Sequence, residues 1–167
     1  QASVSIIELN DDRISWLKDH FKGQDVTVIK SNEENLAKEI KTADVFISTI
    51  LIPGSKPPKL VTRNMIQSMK EGSVVVDIAI DQGGTVEGIR PTTIDNPVYV
   101  EDGVVFYAVP NQPGAVPRTS TMALALGNIE YLQEISNKGI EQAIKDNPVL
   151  ATGVNIYKGH VTNEGLA

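Results

Sequence analysis

The stretch EGSVVVDIAIDQGG, residues 71–84, decides how the rest of the chain is read. Its run of valines and isoleucines is near-continuous rather than alternating. That pattern marks a strand buried on both faces, as in a parallel sheet flanked by helices. The expected strand is SVVVDIAI, residues 73–80, and Gly72 stands where a helix C-cap glycine belongs. Asp77 interrupts the apolar run, Asp81 follows it, and Gln82, Gly83 and Gly84 come next. Ligands of open parallel sheets bind outside the carboxyl ends of the strands. There Asp81 can accept or deliver a proton at the edge of a cleft, with the glycines letting backbone approach a flat ligand. A plain turn of Asp, Gln and two glycines explains the same residues without function. Taken alone, the two readings stand even.

Outward from this strand, apolar runs alternate with helical patterns. Strands are expected at SVSIIEL (3–9), DVTVIK (25–30), DVFISTIL (44–51) and GVVFYAV (103–109). Asn10 can cap a helix whose Ile14, Leu17 and Phe21 share one face, Asn32 can cap EENLAKEIK, and Thr62 can cap RNMIQSMK. IPGSKPPKL and PNQPGAVPR are proline-broken loops, and residues 81–97 read as irregular. Met122, Leu126, Ile129, Leu132 and Ile135 recur at helical spacing, which predicts one long helix over 119–136. The alternation of strand and helix implies βαβ units and a parallel sheet covered on both faces.

Composition narrows the function. A chain of 167 residues with net charge −6 has no bulk attraction for nucleic acid or anionic membrane, and it contains no basic cluster. The absence of cysteine excludes disulfides and thiolate sites. No apolar run is long enough to cross a bilayer, and the expected compartment is the cytoplasm. His20 and His160 have no partner at ligand or base spacing, so no metal site is expected. The chain starts at Gln1 and enters strand-like sequence within two residues, which reads as a cut end.

Glu8 falls at the end of the first expected strand. A dinucleotide fold places an acid at the end of its second strand to accept hydrogen bonds from ribose hydroxyls. The glycine-rich turn of that motif lies about 20 residues earlier, whereas only seven residues precede Glu8. A solvated acid ahead of a helix is the simpler account of Glu8 by itself. Asp11 and Asp12 resemble the acid pair of a magnesium-binding receiver domain. Asp81 comes too late in the chain for that fold, and Pro110-Asn111 stands where it needs a lysine. Helix-capping acids are the better reading of the pair.

Three stretches in order shift the balance: LIPGSKPPKLVTRNMIQSMKEGSVVVDIAIDQGG (51–84), RPTT (90–93) and PGAVPRTST (113–121). Together they resemble alanine dehydrogenase, a family related to the nicotinamide-binding subunit of proton-translocating transhydrogenase. PGAVPRTST favours the dehydrogenase. The likeness runs through nearly the whole chain. It implies an α/β fold with a Rossmann-type doubly wound parallel sheet, incomplete at its N-terminus, and a C-terminal helical segment returning to a substrate domain. The expected division is 1–117 for the NAD-binding domain and 118–167 for the linking helix and substrate-domain part.

The resemblance also implies oxidation of L-alanine by NAD and water to pyruvate, ammonium and NADH, in a homo-oligomer, a hexamer by family. By position, Glu8 matches the ribose-binding acid, and Arg13 and Ser31 match residues flanking the adenosine. Ile50 and Leu51 match a strand-end pair along the cofactor. Ile78, Ala79, Ile80 and Asp81 match the segment beside the nicotinamide riboside, with Asp81 as the catalytic aspartate. Arg90 and Val109, Pro110, Asn111 and Gln112 match further cofactor contacts. The family more often has Ala and Met at the positions of Pro110 and Gln112, and Asp at that of Glu8. Its glycine-rich loop, catalytic histidine, and substrate-binding lysine and arginine have no counterpart in these 167 residues. Two other readings accompany this one: a non-catalytic binding or assembly module, and a transhydrogenase part.

Overall fold

The computed structural model describes residues 2–52 and 55–166, with the backbone alone at Glu164. Pro53 and Gly54, in the first of the expected proline-broken loops, lie outside the described residues. The chain forms two compact units, residues 1–50 with 58–110 and residues 51–57 with 111–167.

The first unit begins with β1 (Val4–Glu8), α1 (Asp11–His20), β2 (Val26–Lys30), α2 (Glu33–Thr42) and β3 (Val45–Ser48). It continues with α3 (Arg63–Gln67), β4 (Val74–Asp77), β5 (Val98–Glu101) and β6 (Val104–Tyr107). The helix starts follow the expected chemistry. Asn10, Asn32 and Thr62 each accept a backbone N–H from the third residue after them. β1 and β2 pair in parallel, and a separate four-stranded sheet runs β3-β4-β6-β5. In the doubly wound order 3-2-1-4-5-6, β2 and β1 take the third and second places. β3, β4 and β6 take the fourth, fifth and sixth. This is a Rossmann-type arrangement in which no described strand takes the first place.

One core serves both sheets. Leu36 and Ile40 of α2, Met65 and Ile66 of α3, and Val75, Val104 and Phe106 of the strands form it, with Ile7 of β1 and Phe46 of β3 packed against it. The register puts Phe46 beside Val75, Val75 beside Phe106, and Phe106 beside Tyr99, so one sheet face is apolar and covered. On the other face, Val45, Ile47, Val98 and Val100 are exposed. Coverage on both faces, expected from the continuous apolar runs, therefore does not extend to the outer strands. Within this unit, α2 and α3 supply helix residues of this core, and α1 buries Ile14 and Leu17.

β5 is the second difference. Residues 81–97 are irregular as expected, but Val98–Glu101 then forms an antiparallel edge strand. Asp102 and Gly103, with φ of 50° and 77°, make the tight turn to β6. The signal was present: Asp-Gly between two β-branched runs is the strongest short-range mark of a hairpin.

The second unit contains a 3₁₀ turn (Gln112–Ala115), α4 (Pro117–Lys138), α5 (Ile140–Asp146), α6 (Pro148–Thr152) and the hairpin β7 (Ile156–Tyr157) and β8 (His160–Val161). α4 contains the expected 119–136 helix, and none of its residues is buried. Met122, Leu126, Ile129 and Leu132 are all exposed. Its C-terminal turn is tied to the next helices by polar contacts. Lys138 Nζ donates to Glu134 (2.9 Å) and Asp146 (3.0 Å), and Asn147 donates to Glu134 (2.8 Å). The hydrogen bond from Asn147, then that from Lys138, holds the Glu134 carboxyl below its ordinary range.

Ile40 is 1% exposed and Leu126 is 74% exposed, which predicts opposite outcomes for the same truncation. In urea unfolding, Ile40→Ala costs about 2–5 kcal/mol, whereas Leu126→Ala stays within about 0.5 kcal/mol. A comparable loss at Leu126 would mean that α4 is covered in solution.

Candidate functional site at the strand ends

The expected strand over 73–80 stops at Asp77, and Ile78–Gln82 is a 3₁₀ turn. The cause is the carboxyl group in the middle of the apolar run. Asp77 is fully buried. One of its oxygens accepts the N–H of Ala79 at 2.9 Å, an Asx-type turn that breaks the extended backbone. The other accepts the N–H of Thr85 at 2.7 Å and lies 3.2 Å from the Thr85 hydroxyl. That hydroxyl is 2.7 Å from Ser48, the β3 residue in register with Asp77. A buried carboxyl is costly unless fully hydrogen-bonded, and here both oxygens are satisfied.

The loop between Asp77 and Thr85 is thereby closed at its base, with Asp81 on its exposed outer bend. Gly83 and Gly84 donate backbone N–H groups to Ile80 and Ala79 at 2.9 Å each. From outside, Lys59 Nζ donates to the carbonyls of Gly83 (2.6 Å) and Gly84 (2.9 Å). Gly84 has φ +73°, and a Cβ there would lie 2.7 Å from Ile89 Cγ2 and 2.9 Å from Asp77 Oδ2. Its glycine is required because the loop folds tightly on Asp77. The sequence reading assigned that freedom to an approaching ligand. Asp77, Thr85, Ser48 and Lys59 were not recognised as parts of the site, although an aspartate inside a β-branched run was itself the clue.

The other expected residues occupy several elements. Glu8 ends β1 and Ser31 follows β2, and the Ser31 N–H donates to the Glu8 carbonyl at 2.8 Å, so the two share one edge. Glu8 Oε1 accepts the N–H groups of Leu9 (2.6 Å) and Asn10 (2.8 Å), which fixes the carboxylate beside the strand end. Lys30 reaches the same edge and donates to Leu9 O and to Asp11, both at 2.6 Å. Arg13 lies in the first turn of α1 with its guanidinium 4.1 Å over Trp16. Ile50, just past β3, is half-buried, and Leu51 is exposed. Ala79 and Ile80 are buried, so Ile78 and Asp81 are the side chains of their segment that face outward. Arg90 stacks 3.7 Å over Tyr99, which stacks on Phe106 in the middle of the sheet. Val109 is buried and Pro110 is exposed. In the second unit Asn111 holds φ +51° at the start of the 3₁₀ turn, followed by Gln112. Two buried polar atoms, Gln82 Oε1 and Gln112 Nε2, have no hydrogen-bond partner among the described residues. Also among the described residues, no group of three or more His, Asp or Glu side chains is placed to hold a metal ion.

The fold and this edge define an α/β domain of Rossmann type whose polar residues gather at the carboxyl ends of its strands. Residues 1–164 match the family model described as alanine dehydrogenase/PNT, C-terminal domain, and the chain belongs to that family. It is 73% identical over 166 residues to alanine dehydrogenase 1 of Staphylococcus aureus strain Mu50, covering 99% of this chain and 45% of that protein. The chain thus spans slightly under half the length of this curated relative. Among solved structures, an L-alanine dehydrogenase superposes with TM-score 0.82 at 37% identity, covering 99% of this chain and 45% of that one. A transhydrogenase from Sinorhizobium meliloti gives TM-score 0.63 at 29% identity over 72% of this chain and 35% of that one.

The closed loop makes a testable demand at its two glycines. Gly84→Ala should cost about 1–3 kcal/mol, because it adds a steric overlap to an unfavourable φ. Gly83→Ala should cost less, since a Cβ there meets nothing within 4 Å. Equal shifts of the urea midpoint for both variants would contradict the closure on Asp77.

Proposed function

We propose that this chain is a portion of an NAD-dependent L-alanine dehydrogenase, catalysing the reversible reaction of L-alanine, NAD and water to pyruvate, ammonium and NADH. The observation that carries the reading is the 73% identity to a named alanine dehydrogenase across 99% of the chain. The lower identity and coverage of the transhydrogenase structure favour the dehydrogenase over that alternative. A cytoplasmic homo-oligomer, a hexamer as in the resembled family, belongs to the same reading. No helix among the described residues is long and apolar enough to cross a membrane.

The residues present suit a dinucleotide. Glu8 and Ser31 share a strand-end edge, and Glu8 Oε1 alone is taken by the backbone of Leu9 and Asn10. NAD, when bound, supplies the acceptor for the hydride from the α-carbon of alanine. Glu8 would accept hydrogen bonds from the adenosine ribose through the oxygen not committed to Leu9 and Asn10, with Arg13 and Ser31 flanking the adenosine. Ile50, Leu51, Ile78 and the backbone of Ala79 and Ile80 would line the path toward the nicotinamide. Val109, Pro110, Asn111 and Gln112 would add contacts to the cofactor, and Arg90 is a further contact in this assignment. Asp81 is the proton-handling residue in this assignment. Its carboxylate would manage protons, together with the catalytic histidine that the resembled family has and these 167 residues lack, while hydride leaves the α-carbon of alanine.

In the complete dehydrogenase carrying this segment, Glu8→Ala should weaken NAD binding by about 1.5–3 kcal/mol, the worth of a hydrogen bond to a charged group. It should also narrow the gap to NADP, because a carboxylate repels a 2′-phosphate. An unchanged NAD/NADP affinity ratio would remove Glu8 from the ribose site. Asp81→Asn keeps size and removes basicity, so steady-state turnover should fall roughly 10²–10⁴-fold. NADH affinity, followed by fluorescence titration, should change far less. Full turnover in the Asn variant would return Asp81 to a plain turn residue.

A further inference from the structure

We propose that Asp77 is a positioning residue for Asp81. Its buried carboxyl group sets the shape of the turn over 78–84 and thereby the place of the Asp81 carboxylate beyond the end of β4. The proposal deepens the dehydrogenase reading and rests on the role given there to Asp81.

The geometry is that of a clasp. Asp77 ends β4 and reaches forward to two points, the N–H of Ala79 and the N–H of Thr85, at 2.9 and 2.7 Å. Asp81 lies four residues from each end of the enclosed segment, at its middle. Rotation of the turn would break one of these bonds inside a fully buried pocket, so the bend that carries Asp81 has one satisfied arrangement. Thr85 is held in turn by the contact of its hydroxyl with Ser48 on the neighbouring strand, and a Cβ at Gly84 would lie 2.9 Å from the same Asp77 oxygen.

Packing alone does not call for a carboxyl group here. Val74, Val75 and Val76 precede it on the same strand, and a fourth valine would continue the apolar run at lower desolvation cost. What valine cannot do is accept two backbone donors six residues apart in sequence. Asparagine is the informative substitute. It has the same shape but one acceptor oxygen, so its amide group must face either the Ala79 or the Thr85 N–H, donor against donor. One side of the clasp then opens while the strand remains. Small misplacements of catalytic groups can cost roughly 10²-fold in rate.

The test is a double-mutant cycle in the complete dehydrogenase, with kcat, NADH affinity and Tm measured for Asp77→Asn, Asp81→Asn and the pair. If Asp77 acts through Asp81, Asp77→Asn lowers kcat by about 10–100-fold in the parent. The same change then costs less than about twofold in the Asp81→Asn background, because coupled residues are not additive. NADH affinity stays within about threefold of the parent. Thr85→Ser, which keeps both donors, should preserve turnover, whereas Thr85→Val should lose part of it. Should Asp77→Asn fail to fold, the Thr85→Val and Asp81→Asn cycle decides the question by the same criterion. Unchanged kcat in Asp77→Asn, or equal losses in both backgrounds, overturns the positioning role and leaves that of Asp81 intact. Full turnover in Asp81→Asn alone overturns both.

Discussion

A buried carboxyl group that must find donors organises the turn at the carboxyl end of β4. Asp77 is fully buried at the end of a strand that contributes to an apolar core, and desolvating it unpaired would cost several kcal/mol. The backbone N–H groups of Ala79 and Thr85 remove that cost. Much else follows from meeting both donors at once. The strand has to end at Asp77 rather than run to Ile80, the turn has to be tight, and Gly84 has to take a φ that admits no side chain beside Ile89. Asp81 is displayed at the strand end as the outcome of these constraints.

The remaining candidate residues show how such a site is assembled from separate elements. Parallel strands deliver their last residues to a common edge, so Glu8, Ser31, Ser48 and Asp77 come to strand ends although they are distant in sequence. The core of Leu36, Ile40, Val75 and Phe106 acts on the site only indirectly, by fixing the strands. Lys59 adds a cation to the carbonyls of Gly83 and Gly84 from a loop preceding α3. The second unit is built differently. α4 is 22 residues long with none buried, and its C-terminal turn relies on the Glu134, Lys138, Asp146 and Asn147 contacts rather than on an apolar core.

Much of the fold was legible in the sequence because its signals are local. Asn10, Asn32 and Thr62 cap helices as their side chains allow, and the β-branched runs form strands, with β3 and β4 each ending three residues before the expected bound. The Asp102-Gly103 hairpin is equally local, but its antiparallel edge strand departs from the parallel βαβ pattern that the other strands follow. The exposed face of β3 and β5 was not legible. A continuous apolar run gives the polarity of both faces of a strand but does not say which helices will lie over them.

The sequence by itself determined the class of fold, the helix N-caps at Asn10, Asn32 and Thr62, the strand-end position of Glu8 and the presence of two aspartates around the end of the β4 run. Each depends on residues within a few positions of one another, where periodicity, capping and turn chemistry act. By contrast, α3 ends at Gln67 with Ser68, not Gly72, as its C-cap. Only the tertiary structure decided what the aspartates do locally. That Asp77 turns inward to Thr85 and Ser48 while Asp81 faces outward depends on the register of β3 beside β4. That Arg90 lies on Tyr99 depends on the pairing of β5 with β6. Both are contacts between segments far apart in the chain, and the physical reason is the same in each case. A side chain's direction is set by the donors, rings and vacant space that other strands bring to it.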